Sequence, residues 1–141
     1  MKIRQGFISN SSSSSYIIID YDNFSPPKLD KELFVNKDFG ETKFGWGPNT
    51  VCDYRGKIIF AYLQILYKDK DSGWLKMLED TIKEYCGIEK IYWEIELDWA
   101  YIDHQSNASE DRNIEIFDSR NNLKNFLFGK KSRIELCNDN H

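Results

Sequence analysis

The stretch Tyr16-Ile17-Ile18-Ile19, with Tyr21 two residues on, constrains the fold more than any other part of the chain. β-branched and aromatic residues favour the pleated backbone, and an unbroken apolar run, unlike an alternating one, predicts burial on both faces. A strand of that kind belongs at the centre of a sheet. Ahead of it, Ser9-Asn10 and the run Ser11, Ser12, Ser13, Ser14 and Ser15 gain nothing from burial and offer the backbone competing hydrogen bonds. Residues 1–15 are therefore expected to be a flexible arm, and residues 16–141 one domain. Behind the strand, Asp22 to Lys28 with Pro26-Pro27 ends it, since proline cannot donate to a ladder.

A chain of 141 residues is of single-domain size, and four Trp, nine Phe and eight Tyr are enough to build its core. Residues 29–40 carry no clear period and read as irregular. Thr42 to Trp46 suggests a short strand broken by Gly45, Gly47 and Pro48, with a loop to about Tyr54. Residues 55–68 are apolar on more than one face, and their length favours a helix over a buried strand. Ser72 reads as the N-cap of a second helix, in which Trp74, Leu75, Leu78, Ile82 and Tyr85 recur at three- and four-residue steps before Gly87. From Ile91 to Tyr101 apolar and polar residues alternate, which predicts one long strand buried on one face. Asn107 to Asn113 reads as a polar loop and Ile114 to Phe117 as a short strand. Ser119 caps a helix carrying Leu123, Phe126 and Leu127 up to Gly129, and Ile134 and Leu136 mark a last strand. The fold class that follows is α+β: a small, mainly antiparallel sheet with two or three helices packed on one face.

Cys52, Cys86 and Cys137 are odd in number and widely spaced, which fits buried free thiols in a reducing compartment. No apolar run approaches the ~20 residues that cross a bilayer, and no apolar core of a signal peptide precedes the serines. A cytoplasmic protein with no membrane partner is expected. A formal charge of −4 and a pI near 5.2 speak against a general nucleic-acid binder, whose affinity comes from neutralising phosphates.

His104 sits in Asp103-His104-Gln105-Ser106, where the expected long strand runs out. An imidazole oriented by Asp103 can act as a general base, with Ser106 nearby, but no third group or nucleophile elbow accompanies them. The plain reading is a hydrogen-bonded turn. A Cys₃His zinc site is disfavoured by cysteine intervals of tens of residues, so neither a metal nor a cofactor is expected. Charge is more informative. Between Ile91 and Asp118 the acidic residues Glu94, Glu96, Asp98, Asp103, Glu110, Asp111, Glu115 and Asp118 face only Arg112, about −7 in all. Glu94, Glu96 and Asp98 fall on one face of the expected strand and make a carboxylate row suited to a basic protein surface. Its plainer alternative is a solvated face neutralised by Lys124, Lys130, Lys131 and Arg133. Trp93, Trp99 and Tyr101 lack interleaved cations and read as core, not as a base-stacking platform. The serine run reads as a linker, as phosphorylation sites at Ser11 to Ser15, or as a segment that folds onto a partner.

The opening Lys2-Ile3-Arg4-Gln5-Gly6-Phe7-Ile8-Ser9-Asn10 with its serines and Tyr16 resembles one shared by uncharacterised proteins of bacteriophages and of bacteria carrying prophages. The likeness extends to Phe44-Gly45-Trp46, to Asp103 through Ser106, and to the tail from Ile116-Phe117-Asp118-Ser119 to Asn138-Asp139. Cys137 stands where a glycine is expected before Asn138-Asp139. The resemblance implies a phage or prophage context without an assigned activity. The expected function is a non-enzymatic accessory protein that binds a host or defence-system protein in the bacterial cytoplasm. Two alternatives stand beside it: a small enzyme acting on a nucleotide or phosphate compound through Asp103, His104 and Ser106 with Asn138 and Asp139, and a minor structural component of a phage particle.

Overall fold

A computed structural model of the chain describes residues 3–7, 16–44, 49–67, 73–102 and 115–136. The apolar run does form a central strand, β2 (Tyr16–Asp20), with Ile17, Ile18 and Ile19 all buried. On one edge it pairs antiparallel with β1 (Ile3–Phe7), in a register that sets Ile3 opposite Asp20 and Phe7 opposite Tyr16. Residues 3–7 thus belong to the sheet, which corrects the arm expected over 1–15; pairing along β2 supplies the backbone partners that composition alone does not reveal. The serines at 11–15 lie outside the described residues.

Two further strands complete a four-stranded sheet of order β1-β2-β8-β5, made of β5 (Asn49–Val51) and β8 (Arg133–Leu136). Ile17 faces Ile134 across one ladder and Val51 faces Ile134 across the next, so an apolar row crosses the sheet. All its pairings are antiparallel. Two short parallel pairs lie outside it: β3 (Glu32–Val35) with β6 (Lys90–Trp93), and β4 (Lys43–Phe44) with β7 (Tyr101–Ile102).

Helix α1 (Tyr54–Tyr67) buries every residue from Gly56 to Ile65 except Tyr62, which is half-buried. The absence of a polar stripe is thereby explained: other elements cover it on several sides. Phe60 meets Phe44 of β4 edge to face at 5.3 Å, and it meets Phe126 at 6.2 Å. Tyr62 stacks on Trp93 at 4.3 Å. Helix α2 (Trp74–Cys86) is amphipathic and buries Leu78, Thr81, Ile82 and Cys86. Helix α3 (Arg120–Phe128) begins at Ser119, whose side chain accepts a hydrogen bond from the Asn122 backbone N–H, and it packs on β2. With α1 and α2 packed against α3, three helices gather on a small, mainly antiparallel sheet, and the fold is α+β.

Several local expectations are corrected. Glu32-Leu33-Phe34-Val35, expected to be irregular, is a strand, because β6 offers it a ladder. Asn49 to Val51, expected to be loop, pairs with β8. The long strand from Ile91 to Tyr101 breaks after Trp93, where β3 also runs out. Glu94 donates its N–H to the Val35 carbonyl, and the Glu96 carbonyl then accepts from Trp99 and Ala100 in a turn. Leu97 is exposed and Ala100 is buried, the reverse of the expected alternation. Ile116 and Phe117 are consecutive and both buried, in a 3₁₀ turn over Glu115–Phe117 where a strand was expected. The N-cap position of α2 is Gly73, in a left-handed conformation, while Ser72 lies outside the described residues.

Two glycines carry different constraints. Gly87 ends α2 at φ +76 with open space around it, so alanine there costs only backbone conformation, about 1 kcal/mol. Gly129 has an ordinary φ of −68, but an added Cβ meets the Asn125 and Asp20 carbonyl oxygens and the Ser132 hydroxyl. Overpacking against backbone predicts a loss of about 3 kcal/mol for Gly129→Ala. Urea unfolding of the two alanine variants should rank them in that order, and equal midpoints would contradict the crowding at Gly129.

Candidate functional site

Glu94, Glu96 and Asp98 are exposed, as a carboxylate row requires, but they lie where β6 ends and in the following turn, not along one strand face. The basic groups expected to neutralise them are engaged elsewhere in part. Arg133 pairs with Glu135 at 2.7 Å, and the Lys124 ammonium sits over the rings of Phe24 and Tyr85 at 4.8 and 5.4 Å. Asp103, His104, Ser106, Asn138, Asp139 and the serines at 11–15 all lie outside the described residues. Among the described residues, no group of three or more His, Cys, Asp or Glu side chains is placed to hold a metal ion.

A site that the residue pattern did not nominate forms on the outer face of the β3–β6 pair. Burial alternates along β3, with Leu33 and Val35 inward and Glu32 and Phe34 outward. The parallel register places Phe34 opposite Tyr92, and their rings stack at 4.6 Å with planes only 6° apart. The Tyr92 hydroxyl donates to Glu32 Oε2 at 3.3 Å, and Lys90 Nζ stands 5.0 Å from the centre of the Tyr92 ring. Beside this pair runs an open groove of ~540 Å³ lined by Asp30, Lys31, Glu32, Phe34 and Glu89. Phe34 is 48% exposed and Leu97, in the acidic turn, is 43% exposed; they are the exposed large apolar side chains of the described residues. The sequence held a weak sign of this face: Phe34 and Tyr92 each stand among charged residues. Pairing them needs the register of two strands far apart in the chain.

A second polar constellation lies inside the protein. Lys57 on α1 is only 2% exposed, and its ammonium donates to the Ser132 carbonyl at 2.9 Å and, more weakly, to that of Gly129 at 3.5 Å. The Ser132 hydroxyl donates to the Asn125 carbonyl at 2.5 Å and accepts from the Asp20 backbone N–H at 2.8 Å. Asp20, also buried, accepts from the Asp22 and Lys131 backbone N–H groups at 2.9 and 3.2 Å and from Asn23 Nδ2 at 3.0 Å. Burial pushes the Asp20 carboxyl up, but these hydrogen bonds outweigh it and hold it below its ordinary value. Burial lowers the Lys57 ammonium to about 8, against the pull of Cys52, Asp53 and Asp20. With its donors aimed at main-chain carbonyls, this cluster ties α1, β2 and the turn between α3 and β8 together, and it presents no reactive group to solvent.

The cysteines divide by environment. Cys86 is buried at the end of α2, and burial raises its thiol to about 11, which removes reactive thiolate at neutral pH. Cys52 is exposed, which corrects the expectation of a buried thiol there; Cys137 lies outside the described residues. Compared with protein-family models, with curated proteins and with solved structures, the chain matches none.

Lys57 binds its proton less tightly in the folded than in the unfolded chain. Between pH 8 and its ordinary value of 10.5 the unfolded state therefore holds more protons, and stability rises with pH. Lys57 contributes a rise of about 2 kcal/mol from pH 8 to pH 10, and the Cys86 thiol, raised by burial to about 11, takes back about 1 kcal/mol of it as the unfolded thiol ionises first. In urea unfolding at stepped pH, Lys57→Met should therefore replace the net rise of about 1 kcal/mol with a fall. Above about pH 10 the trend turns, because burial also raises Tyr54 and Tyr62 and their loss of protons favours the unfolded chain. In a Cys137→Ser background, Ellman's reagent should titrate one thiol promptly and the second only after denaturation; prompt reaction of both would contradict the burial of Cys86.

Proposed function

We propose that the protein is a non-enzymatic accessory factor of a bacteriophage or prophage that works in the bacterial cytoplasm by binding a host or defence-system protein through an acidic surface. The observation that carries this reading is the setting of its exposed apolar groups. Phe34 on β3 and Leu97 in the turn after β6 stand out from the surface among Asp30, Glu32, Glu89, Glu94, Glu96 and Asp98. Protein interfaces combine apolar anchors with a charged rim, and the anchors supply affinity while the rim steers encounter and selects a partner of opposite sign. Large apolar side chains left in water among carboxylates suit that division of labour.

Scaffold rigidity supports the same reading. Trp93 stacks on Tyr62 and donates its indole N–H to Glu79 Oε2 at 2.7 Å, so the inner side of β6 is fixed to α1 and α2 while its outer side stays accessible. A surface held from behind loses little conformational entropy on binding. The resemblance of the opening around Lys2 to Tyr16 supports the phage or prophage context, and a net charge of −4 suits a basic partner.

Charge reversal tests the proposal. The triple variant Glu94→Lys, Glu96→Lys, Asp98→Lys changes exposed side chains only, so its unfolding midpoint should move by no more than about 0.5 kcal/mol in stability. Affinity-tagged protein expressed in phage-infected and in lysogenic cells should retain a partner at stoichiometric level, and the triple variant should lose it. A partner retained equally by the triple variant would defeat the acidic-surface reading. The association rate of the purified pair should fall steeply with added salt.

A further inference from the structure

We propose that the groove beside Phe34 seats an arginine side chain presented by a basic segment of a protein partner. This rests on the protein-binding reading above and assigns it a place and a chemistry.

One aromatic ring, that of Phe34, lines the groove. Phe34 is nearly half exposed, and its stacking on Tyr92 holds the ring in place instead of leaving it to sample rotamers in solvent. Electron-rich ring faces attract cations, and this pair already does so within the chain, where Lys90 Nζ lies 5.0 Å from the Tyr92 ring centre. The rest of the lining is mainly anionic. Asp30, Glu32 and Glu89 line the groove with one cation, Lys31, which is spent in part on Glu89 at 3.8 Å. An open groove of ~540 Å³ admits a long side chain from solvent. An aromatic plane bordered by carboxylates is complementary to guanidinium, which stacks flat while its outer N–H groups reach oxygen acceptors on either side. Lysine offers a compact, strongly hydrated charge that exploits the plane less well.

Charge removes the other occupants. Residues 30–34 and 89–98 hold six carboxylates and two lysines. A second copy of the chain docking about a twofold axis brings that excess against itself, which repels. Nucleic acid meets the same repulsion through its phosphates. A purely apolar segment desolvates the carboxylates of the groove, for which the Tyr92 hydroxyl on Glu32 and Lys31 on Glu89 compensate only in part. A basic segment meets none of these penalties.

The test is a titration of the full ¹⁵N-labelled chain with two blocked hexapeptides of alternating residues, one arginine–glycine and one lysine–glycine, followed by amide shifts at moderate salt. The expected result is saturable shifts concentrated in residues 30–34 and 89–92, with the arginine peptide binding more tightly than the lysine peptide. Phe34→Ser and Glu32→Gln both alter exposed side chains, and each should weaken the arginine peptide, Phe34→Ser by about tenfold. Shifts confined to Glu94 through Asp98, with affinity unchanged in Phe34→Ser, overturn the groove and leave the acidic-surface reading standing. Equal affinity for the two peptides, or the absence of a saturable shift, overturns the arginine assignment. A dimer in sedimentation that Phe34→Ser dissociates assigns the face to a second copy and overturns it as well. Failure of the acidic-surface reading itself is seen separately, in the retention of a cellular partner by the charge-reversed triple variant.

Discussion

Helix α1 is deprived of water along nearly its whole length, and each layer around it answers that one requirement. Phe44 covers it from β4, Phe126 from α3, and Trp93 from β6 through Tyr62. Each large apolar side chain withdrawn from water there is worth about 1.5 to 3 kcal/mol, so the helix is the natural centre of the core. Burial of the same helix carries Lys57 inward, where the ammonium finds main-chain carbonyls of the turn that Gly129 makes tight. The cost of a buried charge is offset only by those hydrogen bonds and by nearby acidic groups. Helix, turn and central strand are thus fastened by one set of contacts whose members lie far apart in the chain.

Two sets of polar groups in this molecule stand in contrast. Asp20, Lys57, Ser132 and Asn125 are buried and mutually satisfied, and they specify how three elements meet. Asp30, Glu32, Glu89, Glu94, Glu96 and Asp98 stay in water beside Phe34 and Leu97, where they contribute little to folding. Buried members resist change because each partner left behind is unsatisfied, whereas exposed members can be altered at small structural cost. The proposed recognition surface lies where sequence is free to vary without loss of the fold.

Where structure is decided locally, the amino-acid order announced it. The run Tyr16 to Ile19, the apolar length of α1, the period of α2, and the Ser119 and Gly129 boundaries of α3 all correspond to elements seen. What stayed hidden was set by pairing between distant segments. Four residues of β3 carry a charge, two apolar side chains and an aromatic, a pattern too short to distinguish from loop until β6 lies alongside. The alternation from Ile91 to Tyr101 misled because it persists past Trp93, while the ladder that supports it does not. Of the acidic surface, Glu94, Glu96 and Asp98 were legible as a group, whereas Asp30, Glu32 and Glu89 were not. The stacked platform of Phe34 and Tyr92 was not, since it exists only through the register of two strands.

Strand order has a consequence for how this chain is made. β8 lies between β2 and β5, so that Ile134 bridges Ile17 on one side and Val51 on the other. Until residues 133–136 have left the ribosome, β2 and β5 have no common neighbour, and the apolar edge of β2 facing β8 is unpaired. The helices can form early from local contacts, yet the sheet closes only by a long-range search that carries a large loop-closure entropy. Synthesis thus leaves an interval in which the edge of Ile17 to Ile19 that β8 will cover is open on the nascent chain, the kind of unpaired strand edge that favours aggregation.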